Sequence, residues 1–282
     1  MRVTVGICAF NEGKSLAKNL ASVLPQLAPD DELVLVASGC TDNTVEVARS
    51  FAARDARVRL EVEAQRNGKA AALNKILATA NGSFIVLTDA DVVLERNALE
   101  KLLEPFKERD IGAVIGRTES LCRKSFWDGL QGFAWQSFNE LRERQSRDGT
   151  LFALNGYLSA VRNGIVDRLP LDCLVEDWML GWKIRERGYR VVFRSDAMVY
   201  VKAAQSLSDY LRQKVRVRVG QLQVHEQGMD LAYVRQPANL GWLFKSPYAL
   251  PYLVLDVLAW GLAFFRHRTG TLKWEPVTSS KP

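Results

Sequence analysis

The chain is poor in the residues that build metal clusters, disulfide frameworks and glycine-rich nucleotide loops. Its four cysteines, Cys8, Cys40, Cys122 and Cys173, form no C-x-x-C pair and have no histidine nearby, which argues against a zinc site and a disulfide scaffold. No G-x-G-x-x-G follows any apolar run, so a dinucleotide-binding Rossmann site is not supported. The stretch "FNEGKS" ends like a phosphate-binding P-loop, but that motif needs glycine five residues before Gly13, where Cys8 stands. No Pro/Gly/Ser-rich linker, repeat or low-complexity tract divides the chain. The opening "MRVTVGICAFNEG" holds too short an apolar run for a secretory leader, so it reads as a first strand and the bulk of the chain is expected in the cytosol.

What is present is a chain of 282 residues, 48% hydrophobic, with enough apolar matter for a substantial core. Short apolar runs near 3–9, 32–37, 58–63, 84–88 and 111–116 alternate with helical periodicity near 13–25, 42–54, 68–80 and 95–108. That rhythm predicts the α/β class, a mixed, mostly parallel sheet with flanking helices. Beyond it the pattern predicts a long helix near 125–147, a strand within "TLFALNGYLSAVR", a helix near 175–187 stopped by Gly188, and a strand "RVVF".

The net charge of +6 is unevenly spread: residues 183–282 carry 16 Lys and Arg against 7 Asp and Glu, and the rest is slightly acidic. Part of that excess falls in a basic helical segment, 206–226. After it, residues 246–265 hold one charge, Asp256, and twenty helical residues reach roughly 30 Å, the thickness of a bilayer's hydrocarbon core. Tyr248, Tyr252 and Trp260, followed by Arg266, His267 and Arg268, suit a membrane interface. The expected organisation is a domain over 1–228 and an extension over 229–282 with a membrane-associating helical segment at 246–265.

In open α/β sheets ligands bind beyond the carboxyl ends of the strands. At those ends stand Asn11 and Glu12, then Ser38, then the D-x-D of Asp89 and Asp91 in "SFIVLTDADVVL". Two carboxylates at the end of a buried strand require positive partners. Hard oxygen ligands suit Mg²⁺ or Mn²⁺ shared with a substrate diphosphate, though an acidic pair there is also a common cap. In "RNGKAAALN", Gly68 permits close backbone approach and Lys69 opens a helix, an arrangement that favours an anion or an ordinary turn. Glu176 and Asp177 begin another helix, as capping acids or as a general base. Arg212, Arg216 and Arg218 offer guanidinium forks to phosphate, and no aromatics interleave with them as nucleic-acid binding would require.

Together these stretches, with "VTVGICAFNEG", "ELVLVASGCTDNT", "NGYLSAVR" and "RQKVRVRVGQLQV", resemble family 2 glycosyltransferases, inverting enzymes of the GT-A fold that use nucleotide-diphosphate sugars. The resemblance covers most of residues 3–225. It implies that Ala9, Phe10, Asn11, Glu12 and Ser38 hold the nucleoside, with Gly68 and Lys69 near base and phosphates. It also implies Asp89 on ribose or metal, Asp91 on the metal, Asp177 as catalytic base, and Gln213 and Arg216 near the acceptor and diphosphate. Two positions depart from the pattern: Ala37 where the family usually has Asp, and Val217 where a Q-x-x-R-W motif has Trp. The second favours single transfers over processive synthesis. The expectation is a transferase acting at the cytosolic face of a membrane on a lipid-linked or glycan acceptor. A polyprenyl-phosphate glycosyltransferase, a silent sugar-nucleotide-binding protein and a membrane-surface adaptor are the alternatives.

Overall fold

The computed structural model describes residues 2–122, 124–228 and 246–269. Four strands, β1 (Val3–Ala9), β2 (Glu32–Ser38), β3 (Val58–Glu63) and β4 (Phe84–Asp89), run parallel in the order β3-β2-β1-β4. Helices α1 (Leu16–Val23), α2 (Thr44–Ala52) and α3 (Lys69–Thr79) connect them. Strands β1, β2 and β4 are largely apolar runs because both sheet faces are covered there, whereas edge strand β3 alternates apolar with charged residues. Along β2, Leu33, Leu35 and Ala37 enter the core under α1 and α2, whereas Val34 and Val36 enter the core with Leu73 and Ile76 of α3. Gly6 of β1 serves this packing, since a Cβ there would lie 2.5 Å from Ile76.

After β4 the chain leaves the middle of the sheet and reappears at its far edge as β5 (Val92–Leu94). The apolar run 84–94 is therefore two strands, with the D-x-D at the break. Helix α4 (Ala98–Leu103) runs into a 3-10 turn at Pro105, so the helix expected over 95–108 is shorter. Strand β6 (Ile111–Ser120) and the long helix α5 (Phe126–Arg147) follow, and Ser125 and Asp128 cap α5 reciprocally. Within "TLFALNGYLSAVR" only β7 (Leu158–Arg162) is strand, and it lies antiparallel between β4 and β6. The preceding residues 151–155 are buried but form no strand, lying against Gly181 of α6 (Glu176–Glu186). Strand β8 (Arg190–Val201) is three times the predicted "RVVF" and pairs with both β6 and β5. The complete sheet order is β3-β2-β1-β4-β7-β6-β8-β5.

Helix α7 (Leu207–Glu226) packs against α8 (Ala249–Thr269), which also touches α5. Of the predicted extension, 229–245 and 270–282 lie outside the described residues. The inner face of α8 is small or polar: Ala259 and Ala263 pack on Val215 and Val219, and Asp256 and His267 pair with Arg218 and Glu226. Its outer face exposes Leu250, Leu253, Val254, Val257, Leu258 and Phe265. This helix is long and apolar enough to cross a membrane by length and composition.

Candidate active site

Where β1 and β4 end, Asp89 stands beside Cys8 in register. The turn that carries Asp89 and Asp91 is held from α1, where buried Asn19 donates through Nδ2 to the carbonyls of Asp89 and Val92, each at 3.0 Å. Gly68, at φ +88°, reverses the chain into α3 and delivers Lys69 to the same point. Lys69 Nζ lies 2.6 Å from Asp89 Oδ1.

From the other direction, Asn155 anchors the 155–157 loop to β6, donating to Thr118 Oγ1 at 2.7 Å. Tyr157 closes that loop on β4 by accepting from Thr88 Oγ1 at 2.8 Å. Gly156 N–H donates to Asp177 Oδ2 at 3.2 Å, and Trp178 N–H donates to Asp177 Oδ1 at 3.0 Å, which orients the carboxylate. A Cβ on Gly156 would have Asp177 Oδ2 and Lys69 Nζ at 3.6 Å and Asp89 Oδ2 at 3.8 Å. Residues 69, 89, 156 and 177 thus converge on one point.

The charges there are not equivalent. Burial alone would lower Lys69, but the fields of Asp89 and Glu176 outweigh it and hold the ammonium well above its ordinary range. Burial pushes both Glu176 and Asp177 up, with Lys69 opposing the rise in each. Asp91 is pushed up to about 7 by burial, then by the charges of Asp89 and Glu12. Four acids, Asp89, Asp91, Glu176 and Asp177, thus face one lysine, an imbalance that a bound cation would correct. Among the described residues no group of three or more His, Cys, Asp or Glu is arranged to hold a metal ion. The D-x-D pair by itself is thus not a complete ligand set.

A cleft of about 360 Å³ opens over this point. Of the residues expected in the site, Ala9, Phe10, Glu12, Ser38, Gly68 and Lys69 line it, as do Asp89, Asp91, Asp177, Gln213 and Arg216. Asn11 does not: its side chain turns away to Thr41, accepting from the Thr41 N–H at 2.8 Å. Ser38 shapes the 65–67 loop, accepting from the Asn67 N–H at 3.2 Å, and Arg66 stacks on Phe10 at 4.1 Å. Ala37 is fully buried in the core, so the departure there is absorbed by packing.

The opposite wall was not anticipated. Gln131, Trp135, Phe138, Arg142 and Gln145 of α5 line it with Lys214 and Val217 of α7. Their spacing of three or four residues puts the α5 group on one helix face, a signal shared with any amphipathic helix. Gln131 Nε2 donates to Gln213 Oε1 at 3.2 Å, and Gln213 Nε2 donates to Tyr157 Oη at 3.3 Å, joining the two walls. Two arginines offered above as phosphate ligands have other partners. Arg218 pairs with Asp256 at 2.5 Å and stacks on Trp260, and Arg212 pairs with Asp209 at 3.3 Å.

The mostly parallel sheet with a cleft beyond its strand ends has the GT-A fold. The chain belongs to glycosyl transferase family 2, whose family model matches residues 4–169. It is similar to the poly-beta-1,6-N-acetyl-D-glucosamine synthase of Staphylococcus aureus (strain COL), 24% identical over 219 residues, covering 76% of this chain and 53% of the relative. The chain spans about half the length of such curated relatives. Among solved structures it resembles the mannosyltransferase PcManGT from Pyrobaculum calidifontis in complex with GDP-Man and Mn²⁺, at a TM-score of 0.68 and 24% identity, covering 96% of this chain and 76% of that one. A second is glucosyl-3-phosphoglycerate synthase from Mycobacterium tuberculosis in complex with Mn²⁺, UDP-glucose and phosphoglyceric acid, at a TM-score of 0.57 and 19% identity, covering 78% of each chain.

Proposed function

We propose that this enzyme transfers a sugar, with inversion, from a nucleotide-diphosphate sugar to a hydroxyl of a lipid-linked glycan, glycolipid or polysaccharide. It works at the cytosolic face of a membrane, in single transfers. The observation that carries the proposal is the convergence of Lys69, Asp89 and Asp177 within 4 Å of one Cβ position on Gly156. A donor diphosphate beside Lys69 and an acceptor hydroxyl beside Asp177 then lie on a common centre.

Asp91 and Asp89 hold Mg²⁺ or Mn²⁺ together with the diphosphate, as the acid excess around Lys69 favours. When bound, that cation neutralises charge on the leaving nucleotide. Lys69 and Arg216 bind the diphosphate, while Phe10, Arg66 and Ser38 shape the nucleoside end. Asp177, fixed by two backbone N–H groups and raised by burial, takes the proton of the acceptor hydroxyl as its oxygen attacks the anomeric carbon. Because a hydroxyl needs that deprotonation and a phosphate does not, the hydroxyl acceptor is preferred to polyprenyl phosphate. The apolar outer face of α8 supports contact with the bilayer.

Thermal shift of the full chain against UDP-, GDP- and dTDP-sugars with Mn²⁺ tests the donor. One of them at 100 times its Kd stabilises the fold by about 2.7 kcal/mol. No shift with any of them contradicts the proposal.

A further inference from the structure

The α5–α7 wall holds a charge for which the donor has no use. Lys214 lines the cleft, half-buried, with Nζ 4.9 Å from the ring centre of Tyr252 and 5.6 Å from those of Phe138 and Tyr210. Among the described residues it has no ion pair with a carboxylate. Asp256, whose field reaches it, is paired with Arg218. Burial, reinforced by Arg218, pushes its ammonium down to about 8. Ring faces compensate a desolvated ammonium only partly, so the site favours an anion.

A second observation on the same wall points to a polar ligand. Gln131 and Gln145 are 4% and 1% exposed and line the cleft, yet Gln131 Oε1 and Gln145 Nε2 have no hydrogen-bond partner among the described residues. Beside them Trp135 and Tyr157 stand edge to face with ring centres 6.2 Å apart. Ring faces with convergent amides suit a sugar, and the adjacent ammonium suits a negative charge attached to it. Tyr252 belongs to α8, so this corner of the cleft adjoins the helix with the apolar outer face.

We propose that the α5–α7 wall is an acceptor subsite selective for an acceptor that carries an anionic group, phosphate or carboxylate, with Lys214 as its counter-ion. The subsite rests on the transferase function proposed above. The anion sits on the part of the acceptor remote from the reacting hydroxyl, so Asp177 keeps its proton to remove. Its source is a lipid phosphate or an acidic sugar.

Two matched pairs of probes distinguish these sources: decyl phosphate against decyl glucoside, and glucuronate against glucose, each titrated into the full chain in a neutral detergent. The charged member of at least one pair is expected to bind about tenfold or more tightly than its neutral partner, as a charge-assisted contact requires. Preference within the decyl pair assigns a lipid phosphate, and preference within the second pair an acidic sugar. The Lys214→Met variant is expected to reduce the preference to about twofold or less, and Lys214→Arg to retain it. Equal binding within both pairs by the unaltered protein overturns the subsite, as does a preference that survives Lys214→Met. Titration of UDP and GDP with Mn²⁺ separates the two claims: failure of both nucleotides to bind overturns the donor assignment, whereas failure of the charged probes overturns the subsite.

Discussion

On the cleft wall built from β1, β4, α3 and α6, buried charges meet one another; on the wall built from α5 and α7, a half-buried cation meets rings and, among the described residues, pairs with no carboxylate. Lys69 answers Asp89 at 2.6 Å, and its field reaches Glu176 and Asp177. Lys214 has Phe138, Tyr210 and Tyr252. The first wall has an excess of acid and the second an excess of base. On the proposed function, such opposition would separate two ligands in one cleft: a cation with its diphosphate on the acidic side, an anionic acceptor on the basic side.

Removing Arg218, the residue that occupies the acid whose field reaches Lys214, is the most disruptive way to break this contrast. Arg218→Met leaves Asp256 without its counter-ion under α8 and costs about 2–4 kcal/mol, somewhat less than a fully enclosed pair because Asp256 keeps 18% exposure. The double variant Arg218→Met/Asp256→Leu recovers most of that loss. Denaturant midpoints measure both, and a double variant no better than the single would show that the pair does not join α7 to α8.

Asp91→Asn sharpens the acidic side. Because the folded protein raises this carboxyl to about 7 from an ordinary 3.8, the native state binds the extra proton between those values, and stability falls as pH rises through that window. The variant therefore gains about 1–2 kcal/mol at pH 8 without metal, after allowance for solvent screening, and the gain fades towards pH 4. It also loses the stabilisation that Mn²⁺ with a nucleoside diphosphate confers. Melting temperatures across pH, with and without Mn²⁺, check both outcomes.

The smallest effect is expected at the turn that delivers Lys69. Gly68→Ala meets no atom within 4 Å, so the cost of a side chain at φ +88° is conformational alone, about 1 kcal/mol. A larger loss in the denaturant midpoint would mean that the loop bears more of the fold than its backbone strain.

The parallel half was legible because β1, β2 and β4 are covered on both faces and read as unbroken apolar runs. Helix α7 was legible to within a residue, with Ser206 accepting from the Asp209 N–H at its start. Strand β5 was not, since three residues carry no periodicity. The second half of β8 was hidden behind Arg194, Ser195 and Asp196, near a register shift where β6 passes from Gly116 to Arg117. In the site, the acids at the end of β4 stood out because charges interrupt an apolar run. Their unequal environments did not, because the Lys69 contact spans twenty residues and depends on how α3 meets β4. Arg218 looked like a phosphate ligand because Asp256 lies on a separate helix, 38 residues on. The α5 wall resembled an ordinary amphipathic face until α7 was placed opposite it.

The central claim is that the carboxylate beside Gly156 removes the acceptor's proton while the opposite charges of Lys69 and Asp91 handle the donor. Asp177→Asn keeps the shape of the site and removes the base, so turnover should fall on the order of 10²–10⁴-fold. The affinity for the nucleoside diphosphate with Mn²⁺ should stay within about twofold, because the role proposed for Asp177 is on the acceptor hydroxyl and not on the nucleotide. Turnover equal to that of the unaltered enzyme would contradict the account and point to an acceptor that arrives already deprotonated.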